Sequence, residues 1–430
     1  MRILALVLAV AVFALTVEAV PGVVNLPVVL RKGQDIRRRG LTVPVKGNLT
    51  HNQDDVSAQS YDIEVEAGTP PQKLRFTLVS SESETWLTSP GVPPCHPDKP
   101  CNQWHFGANL SSTFSGTSFG SGEASFGDPT TYPPSNETFY FNLYEDDFSI
   151  AGITIPKQRF GIQIPEADGT DAGGGALGLG PHLHYGYEAG KPFNTVLDNM
   201  AAQGAIASRT YSLDVGKYGD KTGTILFGGA DTGRFSGELV KRPLVKDELG
   251  TWGASVVLTG YGQTTTNGSE FGYDVSNGDS VFLLDITNQY LRLRHSFVDT
   301  LLRDMGAVND GNDAYYVDCT WRDQPGSWDL QFGDAKIKIP YSSLVTELGP
   351  DEEGKLCWLA ILVTLKGQLV LGAPFFQASY VSFDLDNQQV GLAPSATCGS
   401  NIVAFGAGAD AIPQLTGCTD GRRPCSSRAH

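Results

Sequence analysis

The chain has 430 residues, of which 47 are acidic and 31 are basic, so its formal net charge is −16. Because a surface this acidic repels the phosphates of nucleic acids and anionic lipids, we expect no nucleic acid and no membrane as partners. Glycine and proline, with 50 and 25 copies, stay below the roughly 25–30% typical of disordered or fibrous chains. A single hydrophobic core stops growing near ~250–300 residues, so the length predicts two lobes.

The chain opens with an apolar segment. Residues 3–17 are apolar, follow a basic residue and lead to a small-residue cleavage pattern at Ala19. The segment is short for a membrane span, so we interpret residues 1–19 as a signal peptide and expect a secreted, extracellular protein. The basic residues that follow, up to Arg39, indicate either a pro-region over 20–39 or a solvated run of charge.

Modification patterns fit an extracellular location. Glycosylation sequons begin at Asn48, Asn109, Asn136 and Asn267. In an oxidising compartment cysteines pair, and we expect disulfides to involve Cys95, Cys101, Cys319 and Cys357. The pairing of Cys398, Cys418 and Cys425 stays open, and an odd total of seven leaves one thiol over. Two histidines near Cys95 lack a second ligand pair, so we expect no metal and no cofactor.

Alternation of apolar and polar residues indicates β structure. Residues 61–67 alternate, residues 68–71 form a Gly-Pro turn, and residues 74–79 resume the strand pattern. Short strands between Gly, Ser, Asn and Asp clusters continue along the chain, which predicts a mainly β protein.

Two segments have helical periodicity. One covers residues 193–202, and the other covers residues 297–305, with Ser296 and Asp299 spaced as a capping box. We therefore expect a few short helices.

A weak internal repeat in the sequence suggests duplication. The apolar strand at 76–79 is followed much later by an apolar-apolar-Gly element at 176–180, and the strand at 282–285 is followed by a similar element at 369–372. Two related halves with a cleft between them would explain this pattern, and such clefts commonly hold ligands.

Several motifs then follow in a specific order: Gly68-Thr69-Pro70-Pro71-Gln72, Trp86, Gly178-Leu179-Gly180-Pro181, Tyr211-Ser212-Leu213-Asp214, Leu226-Phe227-Gly228-Gly229-Ala230-Asp231-Thr232-Gly233, Tyr380-Val381-Ser382-Phe383-Asp384 and Val390-Gly391-Leu392-Ala393. Over roughly residues 61–393 the chain resembles the pepsin-like aspartic peptidases, particularly the secreted fungal kind. The resemblance implies a mainly β, bilobal pepsin-like fold with two related β lobes, a cleft and a few short helices. We expect an N-terminal lobe over 55–245, a C-terminal lobe over 246–400 and a polar tail over 401–430. It also implies a monomer that takes peptide or protein ligands.

The resemblance further implies two catalytic Asp residues, one from each half, that share a proton and activate water. Counting from the shared motifs, the first position falls on Val79 and the second on Asp285. Val79 has no acid–base chemistry, so we predict a pseudo-protease that binds peptide or protein in its cleft. Asp285 then acts as the surviving member of the pair or as a buried residue that holds its loop. Glu82 and Glu84 lie three and five residues beyond Val79 and would need a different approach to substitute for it.

Other functions remain as alternatives. One is an active aspartic-type endopeptidase that works at acid pH, and another is an inhibitor or decoy of a second secreted enzyme.

The family's flap carries a Tyr, and here Phe119 or Phe126 takes that position, either as an apolar lid or as a packed aromatic. Thr287 is a further predicted cleft residue. Three other motifs are interpreted as decoys. Asp231, in Asp-Thr-Gly, follows two glycines where bulky residues are needed; Ser118, in Gly-x-Ser-x-Gly, lacks a following helix; and His182, with His184, lacks a third metal ligand.

Overall fold

The computed structural model describes residues 43–52, 60–87, 106–126, 137–164, 175–181, 194–246, 252–275, 280–309, 311, 314–346, 356–365 and 367–418. Several sequence predictions therefore lie outside the described residues: the signal peptide, the pro-region, Cys95, Cys101, Asn136, His182, His184 and Cys425.

The described residues are mainly β structure. The first half contains β1 Val45–Asn52, β2 Ser60–Ala67, β3 Gln72–Val79, β4 Trp86–Leu87, β5 Ser121–Phe126, β6 Glu137–Ile150, β7 Ile153–Gln163, β8 Gly175–Gly178, β9 Thr210–Asp214, β10 Thr222–Phe227, β11 Gly229–Asp231, β12 Val240–Pro243 and β13 Val245–Lys246. The second half contains β14 Trp252–Val257, β15 Gly260–Thr264, β16 Glu270–Asp274, β17 Val281–Leu284, β18 Leu291–Leu293, β19 Val308–Asn309, β20 Ala314–Asp318, β21 Ser327–Phe332, β22 Ala335–Pro340, β23 Val345–Thr346, β24 Leu356–Val363, β25 Leu369–Leu371, β26 Ser379–Asp384, β27 Gln389–Pro394 and β28 Ile402–Ala404.

Four short helices accompany the strands: α1 Val196–Ala202, α2 His295–Asp304, α3 Tyr341–Leu344 and α4 Ala373–Ala378. Helix α1 has a capping box in which Thr195 and Asp198 bond to each other's backbone amides. The capping box predicted at Ser296 and Asp299 is wrong. Helix α2 begins at His295, with no side-chain cap at Arg294, and Asp299 instead pairs with the His295 ring. No helix in the described part of the chain is long and apolar enough to cross a membrane.

Two large sheets carry the fold. Thirteen strands form one sheet in the order β12-β27-β26-β9-β10-β1-β2-β3-β8-β4-β7-β6-β5. A second sheet is built from β13, β14, β17, β25, β18, β24, β20 and β19, with β23 beside β24, and β16-β15-β21-β22 form a smaller sheet. Strands β26 and β27, from late in the chain, thus complete the sheet of the first half.

The predicted internal repeat corresponds to matching strand pairs. β3 runs parallel to β8, with Val79 opposite Gly178, and β17 runs parallel to β25, with Leu284 opposite Leu371. Each pair ends at a glycine that lies close to the backbone of the loop after the first strand. A Cβ on Gly178 would collide with the Ser83 backbone, and a Cβ on Gly372 would collide with the Asn288 and Tyr290 carbonyls. Only glycine therefore fits where each loop wraps around its neighbour.

The chain after residue 400 packs rather than trailing away. Strand β28 pairs with β11, and Phe405, Ile412 and Leu415 join a small core with Phe235 and Tyr380. A disulfide between Cys398 and Cys418 closes this segment, and a second disulfide joins Cys319 to Cys357. The segment predicted as a polar tail thus contributes buried side chains as far as Leu415. The predicted lobe boundaries stay predictions.

Candidate functional site

One hydroxyl group joins the loops that follow β3 and β17. Ser80 Oγ donates a hydrogen bond to the Leu284 carbonyl at 3.0 Å and accepts one from the Ile286 amide at 3.0 Å. These two backbone groups flank Asp285, and Ser80 itself follows Val79. The contact therefore brings the end of β3 against the end of β17, so that Val79 and Asp285 lie at the meeting point of the two halves.

The bridge runs in one direction only. In the register of the internal repeat, Ile286 corresponds to Ser80, and its side chain has no oxygen with which to return the contact. Of these two matching side chains, only the buried Ser80 side chain can therefore form hydrogen bonds to the opposite loop.

Val79 is a core residue on the first loop. Its side chain is 3% exposed and packs in a cluster with Trp86, Phe141, Leu143 and Ala176. Its carbonyl accepts the Leu179 amide at 2.9 Å, which holds the end of β3 against the segment after β8. The environment is apolar and tightly packed, so this position offers neither a proton donor nor a proton acceptor to a ligand.

Asp285 is buried and well satisfied on the second loop. One carboxylate oxygen accepts the Thr287 amide at 3.0 Å and the Thr287 hydroxyl at 2.6 Å, and the other accepts the Asn288 side-chain amide at 2.7 Å. Thr287, predicted to be a cleft residue, thus contacts Asp285 directly. The bonds match what a loop-holding carboxylate needs, and they also leave the carboxyl fixed in one orientation.

A further carboxyl group lies near Asp285. Burial raises the pKa of Glu82 to about 8, and the charges of Glu84 and Asp285 raise the pKa of Glu82 further in the same direction. The loop is held close by Gly180, whose amide donates to the Glu82 carbonyl at 2.7 Å. Glu84 is buried, and its Oε2 accepts the Ser83 amide at 3.1 Å. Glu82 lies three residues beyond Val79 in the sequence, but the folded loop brings its carboxyl group within electrostatic range of Asp285.

The two predicted flap residues lie at different places beside the β5–β6 pair. Phe126 is the last residue of β5, where its backbone pairs with Glu137. Phe119 lies before β5; its amide donates to the Leu143 carbonyl, its ring is 48% exposed, and the Arg159 guanidinium lies 4.9 Å from the ring centroid. The choice between Phe119 and Phe126 as the flap residue stays a prediction.

Asp231, in the Asp-Thr-Gly motif, has a structural role. Its carboxylate accepts the Gly233 amide at 3.0 Å, the Asn401 amide at 2.6 Å and the Ser400 hydroxyl at 2.6 Å. These bonds attach the segment near β28 to β11, and every one is internal to the fold.

The remaining motifs have equally local roles. Ser118 Oγ donates to the Gly120 carbonyl at 2.6 Å, and strand β5 rather than a helix follows, so a nucleophile elbow is absent at this motif. In the described part of the chain, no three His, Cys, Asp or Glu side chains are grouped so that they could hold a metal ion.

The chain has a bilobal β architecture, and the loops after β3 and β17 each wrap around a glycine, Gly178 and Gly372. These features define the class of protein as a pepsin-like aspartic protease fold. The chain belongs to the eukaryotic aspartyl protease family, whose model it matches over residues 60–395. It is 26% identical to the probable aspartic-type endopeptidase opsB of Aspergillus oryzae, over 89% of this chain and 80% of that protein. It is also 28% identical to candidapepsin-3 of Candida albicans, over 85% of each chain.

Proposed function

We propose that this chain is a secreted, monomeric member of the family that binds peptides or protein segments in its cleft and hydrolyses them poorly. The observation that carries the proposal is the Ser80 bridge. Because Ser80 bonds to the backbone groups on both sides of Asp285, the residue before Ser80 corresponds to the partner of Asp285. That residue is Val79.

The chemistry explains the expected loss. Two neighbouring carboxyl groups divide one proton, so that one activates water while the other polarises the peptide carbonyl. A buried valine performs neither role, and general acid–base assistance is worth about 10²–10⁴-fold in rate. Groups that act as a unit lose more than either role alone suggests. The cleft and its hairpin do not depend on that pair, so ligand binding survives in this proposal.

A specific observation also favours a second candidate, an endopeptidase that uses Glu82. This carboxyl has a pKa of about 8 beside Asp285, so it is protonated at acid and neutral pH. Two carboxyl groups in unlike environments are the usual arrangement of an acid and a base. In this candidate Glu82 donates the proton and Asp285 activates the water.

Casein digestion at about pH 3 to 6 separates the two candidates, because Glu82 holds the proton that a general acid needs throughout this range. The proposal expects little turnover by the processed protein, and expects Val79→Asp with Ser81→Gly to increase it. The second candidate expects pepstatin-sensitive turnover that is lost in both Glu82→Gln and Asp285→Ala but kept in Glu84→Gln, the matched neighbour. Such turnover in the parent would contradict the proposal that its catalysis is impaired.

Ligand binding needs its own measurement. Fluorescence anisotropy of labelled oxidised insulin B chain should show binding that unlabelled pepstatin displaces, because both would occupy the cleft. Binding of a second secreted protease with no peptide binding would instead support the inhibitor alternative. N-terminal sequencing of protein from the culture medium tests secretion and gives the processing site.

A further inference from the structure

The β15–β16 hairpin has an aromatic face that is open to solvent. Phe271 and Tyr273 alternate along β16 and therefore share one face, and they are 56% and 46% exposed. Tyr261, directly opposite Tyr273 on β15, has its ring centroid 5.4 Å from the Tyr273 ring. We call Tyr261, Phe271 and Tyr273 the aromatic platform. Two large exposed apolar side chains on an edge strand are a liability unless something covers them.

The platform forms one wall of a shallow recess. The recess is lined by the platform together with Phe297 and Trp328. The Trp328 side chain is 1% exposed, so it lines the recess from the buried side. Flat apolar walls suit a ligand with a C–H face. A sugar ring has such a face.

The turn of the same hairpin carries a glycosylation sequon. Asn267 is exposed, and its side-chain carbonyl accepts the Thr265 hydroxyl at 2.6 Å and the Ser269 amide at 3.0 Å. Its Nδ2, the atom that carries the sugar in an Asn-x-Ser sequon, donates no hydrogen bond to a described residue. The side chain is thus held by its oxygen, with its nitrogen available.

We propose that the N-glycan on Asn267 folds back along β16 and rests its first N-acetylglucosamine rings on Phe271 and Tyr273. In the transfer, Nδ2 loses a proton and bonds the anomeric carbon, while the pyrophosphate of a lipid-linked oligosaccharide donor leaves. The glycan starts at Asn267 in the turn, and Phe271 lies two residues beyond the sequon serine, roughly 7 Å further along the strand, so the second sugar ring is needed to reach it if the first does not. The glycan then covers the apolar face and blocks the open edge of β16.

The other described sequons provide matched controls. Asn48 lies on β1 opposite Thr224, and Asn109 precedes an exposed leucine in a short 3-10 turn. Among the residues that the structure describes, neither has an exposed aromatic pair on its own strand or turn, so glycans there should not produce the same protection.

Nitration by tetranitromethane, read by peptide mass spectrometry, tests the proposal on the secreted protein. We expect Tyr273 to be nitrated several-fold more slowly in the parent than in Asn267→Gln, with Asn48→Gln and Asn109→Gln behaving like the parent. Trimming with endoglycosidase H, which leaves one sugar, shows whether the first ring is sufficient or the second is needed.

A thermal cycle gives a second readout. Asn267→Gln should lower Tm by about 1–3 °C, and this loss should disappear when Phe271 and Tyr273 are both serine. An unoccupied Asn267 in the secreted protein, equal nitration with and without the glycan, or an unchanged Tm loss on the serine background would overturn the proposal.

Discussion

The raised pKa of Glu82 predicts how the stability of the fold changes with pH. Its pKa rises from 4.5 to about 8, first through burial and then through Glu84 and Asp285. The folded chain therefore holds this proton more tightly than the unfolded chain does. The resulting stabilisation is fully present below pH 4.5 and is lost as pH rises to about 8. Glu82→Gln keeps the shape and removes the titration, so the variant should match the parent at low pH and exceed it at high pH.

The size of the effect follows from the shift. A change from 4.5 to about 8 corresponds to about 5 kcal/mol if nothing relieves the buried charge. Glu82 is partly exposed, and water near the carboxyl reduces the cost, so we expect a gain of about 1–3 kcal/mol at pH 8.

Urea unfolding at a series of pH values, with the disulfides kept oxidised, measures this gain. Glu238→Gln, at an exposed carboxyl, controls for the loss of one negative charge. Asp285→Asn should move the transition of Glu82 to lower pH, because one of the charges that raise its pKa is gone. Parallel stability curves for Glu82→Gln and the parent at every pH would refute the raised pKa of Glu82, and a Glu82 titration that Asp285→Asn leaves in place would refute the proximity of Glu82 to Asp285.

Three further predictions concern contacts that hold loops and segments of the fold together. Ser80→Ala removes both bonds of the bridge and should lower the free energy of unfolding by about 1–3 kcal/mol, measured by urea titration, whereas Ser80→Thr should be close to the parent. Gly178→Ala should prevent accumulation of soluble protein, because its Cβ would collide with the Ser83 backbone; normal expression would refute that. Replacing Cys398 and Cys418 together by serine should cost about 2–4 kcal/mol, visible as a lower Tm, and an unchanged Tm would mean that the disulfide adds nothing to the packed segment.

Much of the fold follows from the order of motifs along the chain. Alternation in residues 61–67 predicts a strand, and the structure has β2 at Ser60–Ala67. The apolar-apolar-Gly elements contain Gly178 and Gly372. The loop backbones after β3 and β17 approach these two residues so closely that only glycine fits. The apolar face of residues 297–305 predicts helix α2, but it does not predict where the helix starts. A polar pair at capping spacing is a local signal, and the strand that leads into α2 decides where the helix begins.

The site could be predicted only in part. Motif counting locates Val79 and Asp285, because the spacing to the shared motifs has no gap to adjust. It gives no sign that Glu82 comes within electrostatic range of Asp285, since that depends on how the loop wraps around Gly178 and Gly180. The bonds from Thr287 and Asn288 to Asp285 are short-range in sequence, and a polar pair directly after a buried Asp could have suggested them. The aromatic platform gave no sequence signal beyond the alternation of β16.

The pairing of β26 with β9 has a consequence for synthesis. Val381 to Asp384 align with Leu213 to Thr210, so the largest sheet of the first half takes in strands that leave the ribosome long after its other members. Such distant pairing is slow, because the chain must close a long loop before the contact forms. A nascent or truncated chain that ends before β26 would leave β9 with an unpaired edge. Chaperone binding during synthesis is expected at that edge, and premature termination before residue 379 should yield aggregate rather than a stable first lobe.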